Sequence, residues 1–299
     1  MMSSLSPVLR LALESAKIDP STLTLRGNIL TSSDGTTYFT RTSRDIKQIK
    51  GEVESLRAVA QTCLEVVPKL YAFEVDDEGK EAVMVSQYFE LGGSSTGNTQ
   101  RELARRVVKL HSVPPGGESE EYTGKYGFHV PTHCGVTEQD NTWEKEWEVF
   151  FRDRRLGNLV KRIGHSDISE VWEEMKTRVI PLLLHDITPP PKPVILHGDL
   201  WSGNTGVDSK TGEPVIYDPS SYYGHNEADL GIMRMFGGFS ADFFDEYHQV
   251  HPRSEPYYEQ RQKLYELYHH LNHSLMFGGG YSRSAIAMMR EMVKWADSV

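Results

Sequence analysis

Residues 194–207, "VILHGDLWSGNTGV", decide how the rest of the chain is read. An apolar run, Val194–Leu196, breaks into His197-Gly198-Asp199, then Trp201 and Asn204, before Thr205–Val207 resumes a strand-like pattern. Short apolar runs punctuated by Gly, Asp and Asn read as strand and turn. Downstream, "VDSKTGEP" has the composition of a hairpin turn, and the next apolar run, in "EPVIYDPSS", ends on Asp218. Such a hairpin sets Asn204 and Asp218 side by side. A carboxylate and an amide oxygen so placed are hard ligands of the kind Mg2+ prefers. Asp and Asn also stabilise ordinary turns, so the stretch has to be weighed with the whole chain. Upstream, "TPPPKP" (188–193) is a stiff lead into it.

With 299 residues the chain can bury a large core in one domain or two lobes. A formal net charge of −10 argues against nonspecific nucleic-acid binding, which calls for basic surface, but leaves room for anionic small ligands held by a few groups. Cys63 and Cys134 are the only cysteines, so a disulfide framework is not expected and a reducing compartment is. Arg10 and Glu14 break the apolar run at the N-terminus, and no stretch approaches the roughly 18 apolar residues of a membrane span. The expectation is a soluble cytoplasmic protein with neither nucleic acid nor membrane as partner. Nothing in the sequence sets an oligomeric state.

Along the chain, Leu5–Ala16 has amphipathic helical spacing. "STLTLRGNIL" and "TTYFTRTS" are β-rich, with Asp34-Gly35 as the turn between them. "IKGEVESLRAVAQTC" places Ile49, Val53, Leu56 and Ala60 at helical period, and "PKLYAFEVDDEGKEAVMVSQYFEL" reads strand, acidic turn, strand. "GGSSTGN" (92–98) has linker composition, and a helix follows, stopped by Pro114-Pro115. A long irregular segment over 116–141 leads to further helices, and the C-terminal third is again mostly helical after the hairpin. The pattern is a small mixed lobe followed by a larger helical one.

His197, Asp199 and Asn204 have the spacing H-x-D-x-x-x-x-N of the catalytic loop in protein-kinase-like enzymes. There the aspartate accepts the proton of the attacking hydroxyl and the asparagine helps to hold Mg2+. "LHGDLWSGN", "IYDPSSYYGHNEADL" and "MFGGF" resemble the fructosamine-3-kinase (ketosamine-3-kinase, protein-ribulosamine 3-kinase) family, relatives of the aminoglycoside phosphotransferases. "KYGFHVPTHCG", the following W...W..FF..RRL pattern and "LYELYHHLNHSLMFGGGYSR" are also similar to that family. The likeness runs from about Gly51 onward and is weakest over roughly the first forty residues.

The resemblance implies an α+β, protein-kinase-like two-lobe fold. Residues 1–91 would form the nucleotide-binding N-lobe, a sheet with one helix, and 92–299 the mostly helical, catalytic and substrate-binding C-lobe. It implies ATP and Mg2+ as cofactors and a ketoamine, free or on a glycated protein, as acceptor, with phosphate going to the sugar O3. Asp199 would be the general base, and Asn204 and Asp218 the metal ligands. Glu52 of "GEVES" would be the helix glutamate that pairs with an ATP-binding cation, with Glu54 as fallback. Gln87, Tyr88 and Phe89 of "SQYFEL" would meet the adenine through their backbone. An aminoglycoside- or choline-type kinase, or a catalytically weak nucleotide-binding relative, remains as an alternative.

One departure stands out. The family carries its ATP lysine in a strand "F-V-K", whereas the matching "YFTRTS" has Arg41, with Lys47 and Lys50 as other candidates. Arginine keeps the charge but is a planar fork. No Gly-rich loop is visible, since "TLTLRGNILTSSDG" contains only Gly27 and Gly35. Trp201, two residues past the base, offers a face on which a sugar can stack. His225 and Glu227 are candidates for meeting a cationic amine substrate. Asp229 is expected to brace the catalytic loop through backbone N–H groups. His129, His133 and Cys134 lack a fourth zinc ligand, and His269, His270 and His273 read as ordinary helix residues.

Overall fold

The computed structural model describes residues 5–113 and 122–299. Helix α1 (Pro7–Ser15) begins at Ser6, whose hydroxyl caps the Leu9 amide. Three strands follow, β1 (Leu23–Arg26), β2 (Ile29–Ser32) and β3 (Thr37–Ser43), then helix α2 (Ile46–Cys63) and strands β4 (Leu70–Val75) and β5 (Ala82–Gln87). All five strands form one antiparallel sheet in the order β1-β2-β3-β5-β4.

Alternation along β5 explains why helices cover both faces of this sheet. Val83 and Val85 pack with Val8, Leu9, Ala12 and Leu13 of α1, whereas Ala82 and Met84 join the main core with Ile49, Val53 and Leu56 of α2. The run "STLTLRGNIL" is two strands, not one. Gly27, with φ 58°, and Asn28 make a two-residue turn pairing Arg26 with Ile29, a conformation that glycine enters without steric cost.

The chain leaves the sheet through 88–93 and enters helix α3 (Gly97–Leu110), capped by Thr96. This crossing is fastened rather than free: Gly92 and Gly93 N–H groups donate to the Val207 carbonyl at 3.2 and 3.1 Å, and Ser209 N–H to Glu90 O at 2.7 Å. The Pro114-Pro115 stop and the start of the following irregular segment lie outside the described residues. Within that segment a short hairpin appears, β6 (Thr132–Cys134) with β7 (Thr137–Gln139).

Helices α4 (Trp147–Val149), α5 (Asn158–Ile163), α6 (Ser166–Glu174) and α7 (Ile180–Leu184) follow, with π-helical stretches at Phe150–Gly157 and Met175–Val179. Strand β8 (Val194–Ile195) leads into the 194–207 stretch, and β9 (Thr205–Val207) and β10 (Pro214–Ile216) form the expected hairpin. Strand β11 (Tyr223–Gly224) returns to pair with β8. Helices α8 (Glu227–Phe236), α9 (Ala241–His248), α10 (Tyr258–Phe277) and α11 (Gly280–Ala296) complete the helical part. No helix among the described residues is long and apolar enough to cross a membrane.

Helix α2 belongs to the sheet by sequence but is fixed to the helical part. Gln48 Nε2 donates to Gly135 O at 2.9 Å, and the Ser221 N–H donates to Ser55 Oγ at 2.9 Å. At Gly51 the helix comes so close to β6 that a Cβ would strike the Pro131 carbonyl oxygen, 2.6 Å away. Gly51→Ala is therefore expected to push α2 off β6 and destabilise the protein by about 1–3 kcal/mol. Equilibrium urea denaturation checks this, and an unchanged midpoint would mean that the contact is slack.

Candidate active site

The 197–204 loop is held from below by one carboxylate. Asp229, in the first turn of α8 and fully buried, accepts the His197 N–H at 2.7 Å on Oδ2 and the Gly198 N–H at 2.8 Å on Oδ1. His111 Nε2 lies 3.1 Å from the same Oδ2, and His111 Nδ1 is 2.8 Å from the Tyr247 hydroxyl. Burial opposes the charge of Asp229, but the His111 bond and the backbone donors outweigh it and keep the group below its ordinary value.

Gly198 has φ 84°, and a Cβ there would collide with the Ser220 carbonyl, so the middle residue of His-Gly-Asp has to be glycine. The His197 ring ties the loop to the hairpin: Nε2 meets Tyr217 O at 3.0 Å, and Nδ1 accepts the Asp199 N–H at 3.3 Å. Asn204 Nδ2 donates to Asp199 O at 2.9 Å and to Asp199 Oδ2 at 3.3 Å. Across the hairpin, the Tyr217 N–H donates to Asn204 O at 3.0 Å, which brings Asp218 beside Asn204. Asp218 adopts φ 55°, a left-handed conformation uncommon outside glycine and associated with functional sites.

Two cavities meet here. The first, of about 260 Å³, is bounded by Phe39, Leu56, Met84 and the 87–89 segment. The second, of about 340 Å³, is bounded by Arg41, His133, Asp199, Trp201 and Asn204. Glu52 and Asp218 line both, and so stand at the junction. Burial drives the Asp199 carboxyl up to about 6 against the hydrogen bonds from Cys134 and Asn204. Glu52 is pushed up to about 7, chiefly by burial, with Arg41 opposing the rise and Asp218 adding to it.

Arg41 is ion-paired with Glu52, which is 8% exposed. The other basic candidates lie elsewhere: Lys50 is exposed, and Lys47, exposed on α2, is 3.8 Å from Glu138. Glu54 faces Arg57 and His129 instead of the junction. Trp201 covers Gly203 and meets Phe236 with ring centroids 5.3 Å apart.

Neither His225 nor Glu227, expected to meet a cationic amine substrate, lines these two cavities. Both are 1% exposed. Glu227 accepts from Arg261 Nε at 2.8 Å and from the Ser254 N–H at 2.8 Å, while His225 Nδ1 is 2.8 Å from the Tyr265 hydroxyl. Burial depresses His225 to about 4 and keeps it neutral. His269, on α10 against the Tyr268 ring, is buried with Nδ1 4.0 Å from Asp199 Oδ1. Sequence reading also missed Ser55 and His111. Their partners are 166 and 118 residues away, and no local pattern marks them.

The fructosamine kinase family model matches residues 20–295. The chain belongs to the fructosamine kinase family. It is 36% identical over 267 residues to a ketosamine-3-kinase of Mus musculus, an alignment covering 83% of this chain and 84% of the relative. It is also 36% identical over 269 residues to a chloroplastic protein-ribulosamine 3-kinase of Arabidopsis thaliana, covering 88% and 78%.

Among solved structures, a Thermobifida fusca protein assigned as a fructosamine-3-kinase superposes with a TM-score of 0.80 at 21% identity, covering 97% of this chain and 100% of that one. A thermostable aminoglycoside phosphotransferase APH(4)-Ia, in ternary complex with ADP and hygromycin B, reaches 0.60 at 12% identity over 97% and 98%. These likenesses establish the protein-kinase-like α+β fold. Family membership makes the chain an ATP-dependent phosphotransferase with an alcohol group as acceptor.

The Glu227–Arg261 pair generates a prediction. Glu227→Gln leaves a guanidinium buried without its counter-charge, and is expected to cost about 3–5 kcal/mol of stability. In the folded fraction the KM for either substrate should stay unchanged, because the pair does not line the cavities. Thermal denaturation combined with steady-state kinetics checks both halves. A raised acceptor KM at unchanged stability would return Glu227 to the binding site.

Proposed function

We propose that this member of the family transfers the γ-phosphoryl group of ATP to the O3 hydroxyl of a ketoamine sugar such as ribulosamine or fructosamine, free or on a glycated lysine. The observation that carries the reading is the convergence of Asp199, Asn204, Asp218 and Arg41 on one polar cavity that adjoins an apolar slot. An adenine fits the apolar slot, with the Gln87–Phe89 backbone along its edge. Phosphates leaving that slot pass Glu52 and Asp218, where Arg41 supplies the positive charge. Trp201 then offers its ring to the sugar in the polar cavity.

Asp199 accepts the proton of the attacking hydroxyl. Its raised value suits a base that works near neutrality. Both hydrogen bonds described for the Asn204 side chain use Nδ2, so Oδ1 is the oxygen left for a cation, and Asp218 adds a carboxylate beside it. This donor set fits Mg2+, which prefers hard oxygen ligands together with substrate phosphates. When bound, the ion neutralises phosphate charge. Glu52 orients Arg41 through the ion pair and leaves its outer N–H groups for phosphate oxygens. Two free, buried cysteines accord with a cytoplasmic setting.

Incubation with MgATP and ribulose- or fructose-lysine should yield a phosphorylated sugar by mass spectrometry. Product with an aminoglycoside and with neither ketoamine would sink the proposal. Asp199→Asn should lower kcat by about 100-fold or more while MgATP affinity by calorimetry stays close to wild type. Asp218→Asn should weaken the Mg2+-dependent nucleotide binding itself.

The pH profile follows from the two raised carboxyls. Asp199 has to be ionised to act as base, so kcat is expected to fall by about tenfold per unit below a pH near 6. Protonation of Glu52 below about 7 releases Arg41 and should raise the KM for ATP first. Folding stability has the opposite sign: these groups bind protons more tightly in the folded state, so their contribution is present in acid and lost as pH rises through 6 to 7. A kcat that is level from pH 5 to 8 would remove Asp199 from the role of base.

A further inference from the structure

We propose that Cys134, Asp199 and His269 form a capture site for a thiophilic divalent cation, Zn2+ being the type, and that its occupation silences the enzyme by engaging the carboxylate that serves as base. Only the silencing rests on the proposed role of Asp199; the binding does not.

The three ligand atoms, a thiol sulfur, a carboxylate oxygen and an imidazole nitrogen, lie within 4.8 Å of one another. His269 is 4% exposed, and its Nδ1 has no hydrogen-bond partner although it lies 4.0 Å from Asp199 Oδ1. A buried ring nitrogen left unsatisfied beside a carboxylate is costly unless something else uses its lone pair. Cys134, on β6 and also 4% exposed, brings its Sγ within 4.8 Å of both groups.

The supports of the site are rigid. Asn272, one turn along α10 from His269, donates Nδ2 to the Cys134 carbonyl at 3.2 Å and ties the helix to the strand. Ligand atoms on a tetrahedral zinc stand roughly 3.3–3.8 Å apart, given bonds of about 2.0–2.3 Å. The cluster therefore needs to close by about 1 Å, within reach of side-chain rotation.

Charge and softness agree with this ligand class. A thiolate, a carboxylate and a neutral imidazole balance a divalent ion, and burial holds His269 neutral. Sulfur and imidazole select zinc-like ions over Mg2+, which suits the all-oxygen pair Asn204 and Asp218. Binding exchanges the Cys134 thiol proton for the metal: one S–H bond breaks, one S–metal bond forms, and one proton leaves to solvent. No oxidant or reductant takes part. Asp199 lines the polar cavity, which gives the ion its route in.

The test uses Co2+ as probe, titrated into the reduced, full-length protein without nucleotide. One equivalent should produce a thiolate-to-cobalt charge-transfer band and the intense visible bands of a four-coordinate ion. Cys134→Ser should abolish the charge-transfer band, His269→Ala should weaken binding by about tenfold or more, and Cys63→Ala should leave the spectrum intact. Zn2+ added to excess MgATP should lower turnover reversibly, with Cys134→Ser resistant by about tenfold or more.

No charge-transfer band in the wild type, its survival in Cys134→Ser, or its loss in Cys63→Ala would overturn the site. A chain that shows the band but phosphorylates no ketoamine would instead overturn the acceptor reading and leave the metal site standing.

Discussion

Two backbone N–H groups, those of His197 and Gly198, are aimed at the two oxygens of Asp229, and the active site depends on that arrangement. A catalytic loop has no helix or sheet ladder of its own to hold it, so its amides need another acceptor. A buried carboxylate is a strong one, since hydrogen bonds to an ionised group exceed those between neutral groups. The cost of burying that charge is offset by His111 on the far side, itself fixed by Tyr247. Helices α3, α8 and α9 thus converge on one carboxylate, and the loop above it inherits their rigidity. Gly198 is the price in conformational freedom, because only a residue without Cβ passes under Ser220.

Above this anchor the site is an accumulation of negative charge. Asp199, Asp218 and Glu52 share one region of a chain whose net charge is already −10, and two of them are raised as a result of burial with unfavourable neighbours. Among the described residues lining the two cavities, Arg41 is the only lysine or arginine. Arrival of a cation and a nucleotide would relieve repulsion on the protein side and on the phosphate side together. That is the physical reason for placing carboxylates where a polyanionic ligand is to bind.

Arg41 also shows how a departure in sequence is absorbed by the fold. Strand β3 alternates, so Phe39 and Arg41 share one face, along which Phe39 lines the apolar slot and Arg41 the adjoining polar cavity. Helix α2 presents Glu52 opposite, at a position fixed by the close approach of Gly51 to β6 and by the Ser55–Ser221 bond. The Arg41 guanidinium is ion-paired with Glu52. The two-residue Gly27–Asn28 turn stands where a richer glycine loop is expected. The Asn28 carbonyl accepts the Thr40 N–H at 2.8 Å, next to Arg41 in the chain.

By itself the amino-acid sequence determined the elements whose information is local. The 3.6-residue period marked α1 and α2, the hairpin composition placed Asn204 beside Asp218, and the His-Gly-Asp spacing pointed to the loop and the family. Strand boundaries inside "STLTLRGNIL" and the β6–β7 hairpin were illegible because a single glycine or a three-residue strand carries little periodic signal. What only the tertiary structure decided is which polar residues face the cavities. Glu227 and His225 lie in the same motif-rich run as Asp218, yet they turn inward to Arg261 and Tyr265, 34 and 40 residues along the chain. His269 and Cys134, far apart in the chain, meet at the Asp199 carboxylate. A side chain's direction and its partner's distance are set by packing between elements far apart in the chain, and that information is absent from any one stretch of it.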